Sequence, residues 1–231
     1  MADPESRAGR GYWSPEIDAY LRGLYAQEDP GMRDALRAIE DAGMPPIQVS
    51  PTDGRILEVL LRMVDARRVV EIGTLAGYSA QWIARALPAT GRLWTIEADP
   101  KHAAVARGVL ERARLADKVC VLEGRADVVL PTIEAEGPFD AVFVDADKVG
   151  YERYARWAAR HLRPGGLLAG DNAYLFGRLA GVEPDSPEQV AELASMRVFH
   201  ELLARDFHAV CLPTPDGLAV GIKRVSPAGS T

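Results

Sequence analysis

Cysteine is nearly absent from this chain of 231 residues: Cys120 and Cys211 are the only two, each inside an apolar, strand-like run. There is no CxxC and no Cys/His cluster, so neither is a metal ligand; both read as buried free thiols of a reducing compartment. Basic blocks are missing too. The formal net charge is -6 and the sequence pI about 5.3, which argues against a nucleic-acid partner. No apolar run reaches the roughly 18–20 residues of a membrane span. The first residues, MADPESRAGRGYW, are polar and hold no hydrophobic h-region, so a signal peptide is not expected and a cytoplasmic location is. A G-x-G-x-x-G dinucleotide fingerprint is lacking, and Ser79, in Gly77-Tyr78-Ser79-Ala80, does not make the G-x-S-x-G of a hydrolase elbow. His102, His161, His200 and His208 are scattered without partner spacing. Internal repeats and low-complexity segments are absent.

What remains is 48% hydrophobic with a mean hydropathy of -0.08, the composition of one globular domain over 1–231. Residues 1–13 lack apolar periodicity and are expected to be flexible. Residues 14–46 read as a helical extension. Ser14-Pro15-Glu16 has the N-cap, proline and acidic first turn of a helix that carries Ile17, Tyr20, Leu21 and Leu24 at helical spacing. A second helix starts near Gly31 and stops around Gly43. The α/β core, 47–225, begins where Ser50-Pro51-Thr52-Asp53 caps a third helix. Strands and helices then alternate. Strands are expected at Arg68–Ile72, Arg92–Glu97, Val119–Glu123, Phe139–Asp145 and Leu167–Asp171. Helices are expected at Tyr78–Leu87, Lys101–Ala113, Val128–Glu136 and Tyr151–His161. That alternation predicts a parallel sheet with helices on both faces. A long helix over Glu188–Ala204 precedes an antiparallel hairpin, His208–Leu212 and Leu218–Lys223, around Pro213-Thr214-Pro215-Asp216-Gly217.

Chemistry concentrates at the strand ends. Phe143-Val144-Asp145-Ala146-Asp147-Lys148 and Gly170-Asp171-Asn172 each follow an apolar run. Asp145, Asp171 and the carboxamide of Asn172 are hard oxygen ligands suited to Mg²⁺ or Ca²⁺. Lys148 lies one turn beyond Asp145. Gly73 and Gly77 sit where the first strand gives way to a helix. Glycine there lets backbone N–H groups approach a ligand, though a plain tight turn would look the same. Glu71, two residues earlier, can attract a cationic ligand. Glu97 ends the second strand, where an acid can accept both ribose hydroxyl hydrogens of a nucleoside or simply be solvated. Gly124-Arg125-Ala126-Asp127 can meet an adenine edge through its backbone. All these ends share the carboxyl edge of the sheet, where open α/β sheets bind ligands.

In order, Ser50-Pro51-Thr52-Asp53-Gly54, EIGTLAGYS, TIEADP, FVDADK, RPGGLLAGDN and PDGLAVGIK resemble the class I S-adenosylmethionine-dependent O-methyltransferases of the caffeoyl-CoA and catechol type, from about Ile47 to Lys223. The resemblance implies a Rossmann-like, seven-stranded, mostly parallel sheet with the terminal hairpin inserted antiparallel, and an enzyme of the EC 2.1.1 class. It implies that Glu71, Gly73 and Ser79 hold the methionine part of S-adenosylmethionine, Glu97 the ribose and Ala126 the adenine, with Val49 and Asp145 also at the cofactor. It implies a divalent cation on Asp145, Asp171 and Asn172, with Mg²⁺ favoured over Mn²⁺ or Ca²⁺. Lys148 would sit against the reacting hydroxyl of a small, vicinal dihydroxy aromatic acceptor, and a homodimer is expected. Four departures stand out. Val49 replaces a hydroxyl residue of related plant enzymes, Gly150 a usual Asn, Ala173-Tyr174-Leu175 a common Val-Leu-Trp, and His200 a common Asn. Three other readings compete: an NAD-dependent oxidoreductase, a binding protein that keeps the fold without catalysis, and an N-methyltransferase.

Overall fold

A computed structural model describes residues 3–8 and 11–225 of the chain. The expectation of flexibility over 1–13 falls partly on residues 1, 2, 9 and 10, which lie outside them. Within that stretch Pro4–Arg7 forms a single helical turn, α1. Next come α2 (Pro15–Tyr25) and α3 (Pro30–Asp41). Ser14 Oγ accepts from Ile17 N, and Asp29 caps α3 in the same way, with a proline opening each helix. Helix α3 buries Met32, Ala35 and Ile39. Helix α2 buries nothing: Ile17, Tyr20, Leu21 and Leu24 lie at helical spacing, yet their stripe faces outward. Helix α4 (Pro51–Met63) begins with Ser50 Oγ accepting from Asp53 N at 3.1 Å.

From there the strands β1 (Arg68–Ile72), β2 (Arg92–Glu97), β3 (Val119–Glu123), β4 (Phe139–Val144) and β5 (Leu162–Gly170) alternate with α5 (Tyr78–Ala86), α6 (Pro100–Arg112), α7 (Ala126–Val129) and α8 (Tyr151–His161). Helix α9 (Pro187–Asp206) precedes β6 (Phe207–Leu212) and β7 (Leu218–Lys223). The seven-stranded sheet has the order β3-β2-β1-β4-β5-β7-β6. Strands β1 to β5 pair in parallel, and β7 slots antiparallel between β5 and β6. Thus β6 points the same way as β5, and β7 alone is reversed.

Side chains alternate across the strands, so each strand feeds two apolar layers. Val70, Ile72, Val142, Val144 and Leu168 pack with α8 and α9. Val69, Leu93, Ala141, Phe143 and Leu167 pack with α4, α5 and α6. Most boundaries fall within a residue or two of the sequence reading, and three differences have a physical or functional consequence. The helix expected over Val128–Glu136 is α7 followed by a 3₁₀ turn, Leu130–Glu136, because Pro131 has no N–H to continue an α-helix. Strand β4 ends at Val144, so Asp145 already belongs to the loop. Strand β5 starts at Leu162, and its register with β4 shifts between Phe139 and Ala141. Among the described residues no helix is long and apolar enough to cross a membrane.

Candidate active site

The carboxyl ends of the parallel strands open onto one cavity of about 780 Å³. Val49, Gly73, Ser79, Glu97, Ala126, Asp145, Lys148 and Asn172 all line it. Glu71 and Asp171 do not: both are buried, next to the lining residues Ile72 and Asn172.

Tight backbone crossings shape the floor. Gly73 has φ +97°, and a Cβ there would lie 1.8 Å from the carbonyl oxygen of Asp145, so only glycine lets the β1 and β4 loops pass. Asp145 N donates to Ile72 O at 2.9 Å, which ties the same two strand ends together. Glu97 Oε2 accepts from the backbone N–H groups of Thr74 (3.1 Å) and Leu75 (2.8 Å), and Oε1 accepts from Asp99 N (3.0 Å). A carboxylate offers about four lone-pair sites. With three occupied, Glu97 has room in this conformation for one hydroxyl hydrogen, not the two expected from its strand-end position. His102 Nδ1 stands 3.8 Å from Oε1, at the start of α6.

Glu71 is fully buried. Thr95 Oγ1 donates to its Oε2 at 2.6 Å and lies 2.5 Å from Thr74 Oγ1; its Oε1 has no hydrogen-bond partner. Burial, only partly offset by the hydroxyls of Thr95 and Ser79 and reinforced by the charges of Asp145 and Glu97, pushes Glu71 up to about 8. A hydroxyl chain thus links Glu71 through Thr95 and Thr74 to the loop held by Glu97. Thr95 escaped the sequence reading, since one threonine in a buried strand is also the usual β-branched filler.

At the other end of the cavity, Lys148 Nζ lies 3.4 Å from Asp145 Oδ1 and donates to the Tyr151 hydroxyl at 3.0 Å. The Tyr151 hydroxyl donates in turn to the carbonyl oxygen of Asp171 at 2.8 Å. Tyr151 is buried, and burial followed by the nearby negative charges of Asp145 and Asp171 holds its hydroxyl well above the usual range, so it is a neutral donor. It escaped notice because an aromatic at the start of α8 reads as core. Burial raises Asp145, partly offset by Lys148. Burial and then repulsion from Asp145 push Asp171 up to about 7, and its buried Oδ1 has no hydrogen-bond partner. Among the described residues no three of His, Cys, Asp and Glu converge as a metal cluster. The oxygen donors here are two carboxylates and a carboxamide.

The departures noted in the sequence have local causes. A Cβ at Gly150 would lie 2.4 Å from the Tyr154 ring, which passes there to donate to Asp147 Oδ1 at 2.5 Å. His200 Nε2 lies 2.9 Å from the carbonyl oxygen of Ala173 and, as the donor, anchors the loop after Asn172. Asn172, Leu175 and Phe176 all have positive φ, near 50°. This is tolerated by Asn but costly for Leu and Phe, and such strain concentrates at ligand-binding loops.

A family model described as O-methyltransferase matches residues 24–224. Over 173 residues the chain is 44% identical to catechol O-methyltransferase of Niastella koreensis, covering 74% of this chain and 78% of that one. Over 196 residues it is 41% identical to catechol O-methyltransferase of Mycobacterium tuberculosis, covering 85% and 88%. The crystal structure of the O-methyltransferase TomG from Streptomyces achromogenes, involved in tomaymycin synthesis and in complex with S-adenosylmethionine, superposes with a TM-score of 0.84 at 36% identity, covering 97% of this chain and 100% of that one.

Proposed function

The chain belongs to the O-methyltransferase family, in its class I caffeoyl-CoA and catechol type, and from that premise we propose that it moves a methyl group from S-adenosylmethionine to one hydroxyl of a small, vicinal dihydroxy aromatic. A divalent cation, Mg²⁺ first and Mn²⁺ or Ca²⁺ as substitutes, completes the reading. The NAD-dependent oxidoreductase alternative falls with the family membership.

One observation carries the reading: Lys148, Asp145 and Asn172 share a single cavity with Gly73, Ser79 and Glu97. The orphaned Glu71 Oε1 suits an ammonium group, and the mutual repulsion of Asp145 and Asp171 suits a divalent cation between them. When bound, S-adenosylmethionine supplies an already activated methyl group, and the cation lowers the pKa of a catechol hydroxyl, about 10 for a phenol.

Glu71, Gly73 and Ser79 would hold the methionine part of the cofactor. Glu97 would accept from the ribose, its geometry already fixed by three backbone donors. The backbone of Ala126, beside Gly124 in the cavity wall, would take the adenine, and Val49, in the same wall lining, would also contact the cofactor. Asp145 and Asp171 match the two charges of the cation, and Asn172 adds an oxygen without a third negative charge. Lys148, steadied by Tyr151, either takes the hydroxyl proton or stabilises the phenolate as an ammonium. Holding both reactants in line supplies much of the remaining acceleration.

A homodimer would cover the outward stripe of α2, and a cytoplasmic setting accords with the two free cysteines. The test is a methylation assay with S-adenosylmethionine and catechol. Turnover should vanish after exhaustive chelation and return with Mg²⁺. Full activity without metal would remove the cation from the reading. No activity on any dihydroxy aromatic would favour the non-catalytic binding protein, and preferred methylation of an amine the N-methyltransferase.

A further inference from the structure

Beside the main cavity lies a second one of about 380 Å³, walled by Tyr174, Phe176, Leu179, Pro215 and Asp216. Phe176 and Asp216 line both cavities, so the two meet at that pair. The walls come from the loop after Asn172 and from the β6–β7 turn, and backbone hydrogen bonds stitch them together. Ala173 N donates to Gly217 O at 2.8 Å and Tyr174 N to Asp216 O at 3.1 Å. Gly217 has φ +74°, and a Cβ there would lie 2.7 Å from the Tyr174 ring. The lobe is therefore a built feature of the fold, anchored one and two residues after Asn172.

Its lining is aromatic and aliphatic except at the mouth. Phe176 is 59% exposed and held at positive φ, so its ring is presented to the cavities rather than to the core. The Asp216 carboxylate is exposed and has neither an ion pair nor a side-chain hydrogen bond among the described residues. It lies close enough to Asp53 and Asp145 to raise both. The nearby guanidinium of Arg178, 5.9 Å from the Phe176 ring, is already paired with Glu192 at 2.8 Å. The mouth of the lobe is thus negative; another guanidinium, that of Arg197, reaches the carbonyl oxygen of Leu179 at 3.5 Å, on the loop after Asn172 rather than on the hairpin of Asp216.

The main cavity has the volume of a site for one drug-sized ligand, which the cofactor itself is. An acceptor ring held near Asp145 and Asn172 needs space elsewhere for its substituent, and the side lobe opens beside Asn172. We propose that this lobe receives the ring substituent of the acceptor, taking an apolar tail that is neutral or ends in an ammonium and turning away one that ends in a carboxylate. This rests on the acceptor reading above. Phe176 packs against the tail and Asp216 sorts it by charge.

The experiment measures kcat/KM of the full chain, with S-adenosylmethionine and Mg²⁺, on catechol and on three catechols carrying a propyl, an aminoethyl or a carboxyethyl group para to one hydroxyl. A unit charge about 6 Å from another in water changes binding about threefold each way, so the aminoethyl compound should exceed the carboxyethyl one about tenfold. Asp216→Asn should shrink that ratio to within about threefold, and added salt should shrink it in the wild type. Phe176→Ala should lower the ratio of kcat/KM for the propyl compound to that for plain catechol about tenfold, the scale of lost methylene contacts. Equal treatment of the three tails while catechol is methylated overturns the lobe assignment alone, as does a ranking that survives both substitutions. If catechol and all three derivatives stay unmethylated, the acceptor reading falls and this one with it.

Discussion

Replacing Glu71 by Gln should abolish a pH dependence that the wild-type protein shows before cofactor is added. The carboxyl group is buried, with Thr95 Oγ1 donating to Oε2, Oε1 without a partner at hydrogen-bond distance, and the Ser79 hydroxyl close enough to favour the charged form. Its pKa rises from 4.5 to about 8, mainly through burial. Below pH 4.5 both folded and unfolded chains carry the proton. Between 4.5 and about 8 the unfolded chain releases it and the folded chain keeps it, so stability falls as pH rises and levels off above 8. At about 1.4 kcal/mol per unit, the interval from pH 5 to 8 is worth on the order of 4 kcal/mol, or roughly 8–16 °C in Tm for a domain of this size. Thermal melts of cofactor-free protein across that interval should show the decline, and Glu71→Gln should lose most of it. Asp145 and Asp171 are raised too and leave a residual slope in both proteins. The same proton should depart when a cofactor ammonium meets the carboxylate, with about 0.9 proton released per cofactor bound at pH 7. Calorimetry in buffers of different ionisation enthalpy reads that number. Parallel melting slopes for the two proteins, or binding without proton release, would refute the reasoning.

Thr95→Val keeps the shape of the side chain and removes the hydroxyl between Glu71 and Thr74. It should weaken S-adenosylmethionine about tenfold by the loss of one hydrogen bond to a charged group, with Thr95→Ser restoring it; unchanged dissociation constants would make Thr95 mere filler. Lys148→Ala should lower kcat by about 10²–10⁴-fold with little change in cofactor KM and partial recovery at high pH, while Tyr151→Phe should lower it less. A wild-type kcat for Lys148→Ala across pH 6–9 would leave the metal as sole activator. Leu24→Glu, on the exposed stripe of α2, should shift the protein to monomer in light scattering while it stays folded by circular dichroism; a wild-type mass that is already monomeric would remove the dimer.

The central strands were legible because a parallel sheet covered on both faces writes itself as short apolar runs, and β1, β2 and β3 carry the bounds read from sequence. The start of β5 was hidden by Pro164-Gly165-Gly166, which reads as a turn yet continues the strand. Periodicity located the α2 stripe but not its direction, since spacing does not say which neighbour covers a face. Asp145, Lys148 and Asn172 were readable because charge and amide at the end of an apolar run have few structural uses. Thr95 and Tyr151 were not, because a buried hydroxyl among apolar neighbours looks like packing until its partners are seen. The side lobe depends on left-handed backbone at Leu175 and Phe176, where bulky residues rarely go, and no local propensity announces it.

The reversed strand β7 sets an order on biosynthesis. The ends of β1, β2, β4 and β5, with Gly73, Glu97, Asp145 and Asn172, all precede Phe207 in the chain, while Asp216 and Gly217 come from the last hairpin. A ribosome-bound chain that stops short of β6 already holds the proposed cofactor contacts but lacks the wall that sorts acceptors. It also leaves the outer edge of β5 unpaired along Leu167–Gly170, an apolar edge that invites pairing with a neighbouring chain. The segment Phe207–Lys223 therefore both covers the edge of β5 and supplies the second wall of the lobe.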